Sequence, residues 1–174
     1  MWSLRIHHEK QSYEQACMVT LTYDEENCPN EISKDHLQRF IKRLRKGSKK
    51  EGFEAPAFKY FACGEYGSTT RRPHYHAIIL GADFLGGKYS YRIDERLYGN
   101  KYVESKWGYG AISICDYSMS TSCYVARYVA KKVGDPDSFR LMSRGLGKDF
   151  LRRNVDELYR IGSCVIDGKT YPIP

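Results

Sequence analysis

Two residue clusters in this 174-residue chain have types and spacings suited to chemistry on a phosphate. The first is Tyr124-Val125-Ala126-Arg127-Tyr128-Val129-Ala130-Lys131-Lys132, where a four-residue unit, Tyr-Val-Ala-(Arg/Lys), stands twice in tandem. Four residues is just over one helical turn, so in a helix Tyr128 stacks above Tyr124 and Lys131 above Arg127. The two phenols then lie about 6 Å apart along one helix face. Two phenols with a cation beside each make a pair of nucleophiles for phosphate transfer. A phenol attacks poorly at neutral pH because its ordinary pKa is about 10. Arg127 or Lys131, one turn away, would stabilise the phenolate and the charge developing at phosphorus. A phosphotyrosine ester also conserves the energy of the broken phosphodiester, so the strand can later be rejoined.

The second cluster is Pro73-His74-Tyr75-His76-Ala77-Ile78-Ile79-Leu80. In a strand, residues i and i+2 share a face about 6.6–6.8 Å apart, so His74 and His76 can converge on one ion while Tyr75 points away. An antiparallel return through the short loop 66–73 brings Glu65 beside them as an oxygen ligand. Two imidazoles and one carboxylate with open positions suit a divalent ion that also holds a phosphate oxygen. The same loop supplies Arg71 and Arg72, natural phosphate clamps.

The ordinary reading of a His-x-His pair is two half-buried sheet residues with satisfied hydrogen bonds. Against it stand Glu65, the two arginines and a strand apolar on both faces, Ile78 and Leu80 on one and Ala77 and Ile79 on the other, which reads as central and covered. His7, His8 and His36 lack such company and read as surface residues. The ordinary reading of the tyrosines is an aromatic stripe in the core. At about 100° per residue, however, Val125, Ala126, Val129, Ala130 and Val133 already complete an apolar face. Tyr124, Tyr128, Arg127 and Lys131 lie opposite. A helix that both buries that face and reaches the histidines must dock obliquely on the sheet.

The elements that position these clusters follow from periodicity and turn residues. Residues 2–15 are read as a helix and Cys17 to Tyr23 as a strand. A helix starts at Ser33 as N-cap, with Ile32 and Leu37 as a hydrophobic staple and Leu37, Phe40, Ile41 and Leu44 as its apolar stripe; Gly47 is expected to close it. Its other face, Arg39, Lys42, Arg43 and Lys46, reads as solvated. Phe58 to Tyr66 and His74 to Leu80 are strands, and a short helix is expected around 96–106. Gly110 to Asp116 is a further strand, and Ser120 or Thr121 caps the tandem-repeat helix, which Gly134-Asp135-Pro136 ends. Lys148 to Tyr159 reads as a helix, and Ser163 to Tyr171 as a hairpin about Asp167-Gly168. The fold class is therefore α+β, a central antiparallel sheet with helices packed on it, in the order β-α-β-β-β-α plus a C-terminal helix and hairpin. The expected organisation is one domain over 1–174, its core about 16–134 and an appendage about 135–174.

Composition sets the partner class. A net charge of +7 and a pI near 9.0 favour a polyanion, and the 15 tyrosines offer rings for stacking on unpaired bases. No apolar run is long enough to span a bilayer and no signal peptide is visible. The six cysteines stand singly, without a Cys-x-x-Cys pair, and read as reduced cytosolic thiols. Gly168-Lys169-Thr170 echoes the end of a P-loop, but Ser163 stands where its first glycine belongs, so no motor is encoded.

Taken together these residues resemble the His-hydrophobe-His (HUH) endonucleases, the nicking enzymes of rolling-circle replication. Thr20-Leu21-Thr22-Tyr23 resembles that family's first strand motif, Glu65 with His74-Tyr75-His76 its metal motif, and Tyr128-x-x-Lys131 its catalytic motif. The doubled tyrosine, with Met-Val-Thr-Leu-Thr-Tyr and Arg-Pro-His-Tyr-His-Ala around it, is most similar to initiators of the microviruses, in particular the gokushovirus branch. The resemblance implies an RRM/ferredoxin-like HUH nuclease fold and a Mg²⁺ or Mn²⁺ ion on Glu65, His74 and His76. It implies Tyr124 and Tyr128 as alternating nucleophiles with Lys131 assisting, and Arg71, Arg72, Arg127 and Lys132 on single-stranded or unwound origin DNA. It further implies a 5′-phosphotyrosine intermediate, a host polymerase to extend the free 3′-hydroxyl, a host helicase to part the strands, and a site of action in the cytoplasm of the infected bacterium. Such initiators often extend further, so the chain is expected to be the nuclease domain of a longer protein. The alternatives are a single-strand transposase of the same superfamily, which usually needs one tyrosine, and a non-catalytic RRM-like single-strand binder.

Overall fold

The computed structural model describes residues 2–50, 58–67, 69–131, 139–166 and 168–173, with the backbone alone for 48–50 and 128–131. Seven strands form one sheet: β1 (Ala16–Thr22), β2 (Lys59–Tyr66), β3 (Pro73–Leu80), β4 (Ser90–Arg92), β5 (Tyr98–Asn100), β6 (Ile112–Asp116) and β7 (Phe139–Met142). Their spatial order is β4-β5-β6-β1-β3-β2-β7, and each neighbouring pair is antiparallel. A separate hairpin joins β8 (Ser163–Ile166) to β9 (Lys169–Pro172). The helices are α1 (Trp2–Lys10), α2 (Lys34–Lys50), α3 (Lys101–Trp107), α4 (Met119–Lys131), α5 (Lys148–Arg153) and α6 (Val155–Ile161). The α+β antiparallel class is as the sequence predicts.

Strand alternation sorts the sheet into two faces, each with its own core. On one face Cys17, Val19 and Leu21 of β1, Tyr75, Ala77 and Ile79 of β3, and Ile112 and Ile114 of β6 pack under Leu37, Phe40, Ile41 and Leu44 of α2 and Trp107 of α3. On the other, Phe61 and Cys63 of β2 and Ile78 and Leu80 of β3 pack under Ile6 of α1 and Val125 of α4. His74 and His76 are in alternation with Ile78 and Leu80, so they share the face that α1 and α4 cover. As expected, β3 is central, flanked by β1 and β2.

Several boundaries differ from the sequence reading, each for a local reason. Ahead of α4 the order is β-α-β-β-α-β, because α3 precedes the last central strand. That helix starts at Lys101 because the Asn100 side chain accepts from the Tyr102 and Val103 amides at 3.0 and 3.2 Å. Ser33 does cap α2, its hydroxyl accepting from the His36 amide at 3.3 Å. Gly47 does not end that helix: a Cβ there would run into the Tyr102 hydroxyl and the Lys106 side chain, so the glycine marks the close approach of α3. The cap of α4 is Ser118 rather than Ser120 or Thr121; its hydroxyl accepts from the Thr121 amide at 3.1 Å, and the Thr121 hydroxyl accepts from the Ser118 amide at 2.9 Å. The stop at Gly134-Asp135-Pro136 lies outside the described residues. The helix expected over 148–159 is broken at Asn154 into α5 and α6, and β4, β5 and β7 are strands the sequence did not announce.

The three histidines read as surface residues are not free-standing. His8 is buried, its ring stacked on Phe150 at 3.9 Å. His36 is half-buried, stacked on Tyr109 at 4.4 Å and hydrogen-bonded to the Tyr23 hydroxyl at 2.8 Å. His7 is half-buried beside Tyr117. All six cysteines are free thiols. Gly168-Lys169-Thr170 lies in the β8–β9 hairpin, not between a strand and a helix. No helix among the described residues is long and apolar enough to cross a membrane.

Candidate active site

Register builds the site. Opposite His74 on β3 stand Glu65 of β2 and Thr22 of β1; opposite His76 stand Cys63 of β2 and Thr20 of β1. All six point to one face, so two cross-strand rows carry the polar groups. The Glu65 carboxylate reaches both imidazoles, its Oε1 lying 2.7 Å from His74 Nε2 and 2.9 Å from His76 Nε2. Glu65 and His76 are buried and His74 nearly so. Among the described residues this trio is the group of ligand-type side chains whose donor atoms all fall within 4.8 Å of one another. Burial pushes the Glu65 carboxyl up, but the hydrogen bonds and charge of His74 and His76 outweigh it and hold it below the usual carboxylate range.

A second layer aims the ligands. His76 Nδ1 lies 3.0 Å from the Thr20 hydroxyl, and His74 Nδ1 lies 3.3 Å from the Arg72 carbonyl oxygen. Each ring thus has its Nδ1 occupied and its Nε2 directed at the common centre, the arrangement that orients histidine ligands in metal sites. The donor set of two imidazole nitrogens and one carboxylate oxygen fits a divalent ion; the carboxylate suits Mg²⁺ or Mn²⁺, and the imidazoles tip the balance toward Mn²⁺.

The sequence marks Thr20 only as part of a strand motif. Its place at the site follows from period-two alternation, since Thr20 and Thr22 share the histidine face once β1 is paired with β3. A cleft of about 350 Å³ opens over this row, lined by Thr20, Thr22, Thr70, Arg72, His74 and His76 among others.

Of the two expected clamps, Arg72 lines the cleft and also donates to the Tyr23 carbonyl at 2.9 Å, which ties the loop 67–72 to the end of β1. Arg71 is exposed, its guanidinium 5.0 Å from the Tyr66 ring centroid, and it takes a left-handed backbone with φ 55°.

Helix α4 crosses β2 and β3 beside the histidines. Val125 is fully buried and its carbonyl accepts from the Cys63 thiol at 3.7 Å. Tyr124, one position earlier, stays 40% exposed with its ring edge-on to His76, the centroids 5.2 Å apart and the planes at 84°. The apolar and tyrosine faces are therefore both served, as oblique docking requires. Arg127 is exposed on the same helix. Tyr128 and Lys131 lie on the α4 backbone, but their side chains, and Lys132 altogether, fall outside the described residues.

A family profile for replication-associated proteins of the ORF2 type matches residues 16–133. The chain is 30% identical over 193 residues to replication-associated protein VP4 of Bdellovibrio phage phiMH2K, a match covering 99% of this chain and 59% of that protein. It is 31% identical to replication-associated protein ORF4 of Chlamydia phage 1, across 95% of this chain and 46% of that one. It is 30% identical to replication-associated protein ORF2 of Spiroplasma virus 4, across 95% and 56%. The chain thus spans about half the length of the curated relatives it matches. No solved structure matches it.

Proposed function

The chain belongs to the ORF2-type family of replication-associated proteins, and on that premise we propose that it is a metal-dependent DNA-nicking endonuclease and strand transferase. In this reading it cuts one strand at a phage replication origin to start and end rolling-circle synthesis. The observation that carries the proposal is the meeting of Glu65, His74 and His76 under the ring of Tyr124.

Glu65, His74 and His76 would hold a Mg²⁺ or Mn²⁺ ion, which would supply Lewis-acid polarisation of the scissile phosphate. Thr20 and the Arg72 carbonyl keep the imidazoles aimed. Arg71, Arg72, Arg127 and Lys132 bind the strand through its phosphates. A tyrosine oxygen attacks phosphorus, the P–O3′ bond breaks, and the phenol's proton is delivered through solvent to the departing 3′ oxygen. The products are a 5′-phosphotyrosine and a free 3′-hydroxyl. The second tyrosine of the Tyr124/Tyr128 pair cuts the regenerated origin, and the freed hydroxyl closes the first strand into a circle, with Lys131 as the cation beside the phenolate. Strand separation and extension fall to the helicase and polymerase of the infected cell. A non-catalytic single-strand binder would have no use for a buried carboxylate shared by two imidazoles, which is why the nuclease reading is preferred.

His76→Ala tests the reading. It should abolish nicking while the far-ultraviolet circular dichroism and the affinity for single-stranded DNA stay near wild type; nicking that survives it would overturn the proposed ligand set.

A further inference from the structure

We infer that Tyr124, rather than Tyr128, makes the first cut; the inference rests on the nuclease reading and adds to it an order of events. The N-terminal half of α4 is fixed to the sheet at several points. Ser118 and Thr121 cap its start reciprocally. Ser122 is buried, and Val125 is buried with its carbonyl on the thiol of Cys63, the residue opposite His76 on β2. Tyr124 is held within this fixed half, one residue before the anchor. Its ring already touches a ligand histidine in the DNA-free protein, and its partial exposure leaves the phenol open to a strand entering the cleft.

The dimensions of the site separate the two tyrosines. The three donor atoms lie within 4.8 Å of one another. One turn further along α4 is about 6 Å, more than the width of the donor cluster. A single phosphate seated on that cluster is therefore in line with one hydroxyl at a time. Tyr124 is the one whose placement needs no prior movement of the helix, and small misplacements are costly to such reactions. In the first cut the Tyr124 oxygen forms the new ester to phosphorus as the bond to O3′ breaks, and O3′ ends protonated. Tyr128 takes the second cut, after Tyr124 has become esterified.

The chain itself provides the means of testing this. Trypsin cleaves after Lys106, Arg127 and Lys131, which puts Tyr124 on peptide 107–127 and Tyr128 on peptide 128–131. Single-stranded oligonucleotides tiling the genome that encodes the chain would be reacted with the protein and Mn²⁺, quenched in a single turnover, and the DNA-bearing peptide identified by mass spectrometry. The earliest adduct should lie on peptide 107–127. Tyr124→Phe should slow that first turnover at least about tenfold, and Tyr128→Phe should leave it within about twofold. In the metal-free protein, nuclear Overhauser contacts should join the Tyr124 and His76 rings. An early adduct chiefly on 128–131, equal slowing by the two substitutions, or absent ring contacts would overturn the order while leaving the nuclease reading intact. No adduct on either peptide with Mg²⁺ or Mn²⁺ would remove both.

Discussion

The Thr20 hydroxyl stands 3.0 Å from His76 Nδ1, on the strand beside the histidine and directly across from it. Thr20 touches no donor of the metal trio's common centre, yet it fixes which way the His76 ring faces. Thr20→Val keeps the shape and removes the partner. It should weaken Mn²⁺ binding by about 10–100-fold, as outer-layer changes at metal sites do, while folding stability falls by only about 1 kcal/mol. Isothermal titration with Mn²⁺ beside urea unfolding separates the two effects. Unchanged affinity would mean that the ring is oriented by something else.

How far the site could be read from the chain depends on how local its signals are. Glu65, His74 and His76 were legible because one period-two strand and one short antiparallel return fix their register, and no distant contact intervenes. The apolar stripe of α2 was legible for the same reason: Leu37, Phe40, Ile41 and Leu44 repeat at helical spacing and are all buried. What was missed depends on contacts between elements far apart in sequence. Gly47 looks like a stop signal until α3 is laid against it. His8 looks like a surface residue until Phe150, brought in by α5, stacks on it. Strands β4 and β5 have three residues each and β7 four, too short for alternation to stand out. The roles proposed for Tyr128, Lys131 and Lys132 rest on spacing and family resemblance alone.

His8 makes the fold sensitive to acid. Burial, followed by the neighbouring charge of His7, lowers its pKa from 6.5 to about 4. A histidine held neutral in the folded chain contributes stability that is complete above its unfolded pKa and is lost as pH falls from about 6.5 towards 4. The loss is on the order of 2–3 kcal/mol across that window. His8→Phe keeps a ring on Phe150 without the titration. Its urea midpoint should therefore drop less than that of wild type between pH 7 and pH 4.5, and parallel pH profiles for the two proteins would contradict this.

The two loop arginines should separate by stability. Arg71 is exposed, so Arg71→Ala should weaken single-stranded DNA binding and reduce the salt slope of log Kd by about one, with the melting temperature little changed. Arg72→Ala should weaken DNA binding too, but it also removes the hydrogen bond to the Tyr23 carbonyl and should lower stability by about 1–2 kcal/mol. Fluorescence anisotropy across a salt series, run with thermal melts, distinguishes the pair. Equal stability of the two variants would remove the structural role given to Arg72.

The proposed chemistry is tested most directly by one gel. The wild-type protein is incubated with single-stranded oligonucleotides tiling the genome that encodes it, in Mn²⁺ or in EDTA, and run under denaturing conditions. A protein–DNA band that survives denaturant, forms only with the divalent ion and disappears in the Tyr124→Phe/Tyr128→Phe double variant is the predicted result. A band that persists in EDTA or in the double variant, or no band with any divalent ion, would contradict a metal-assisted tyrosine nuclease.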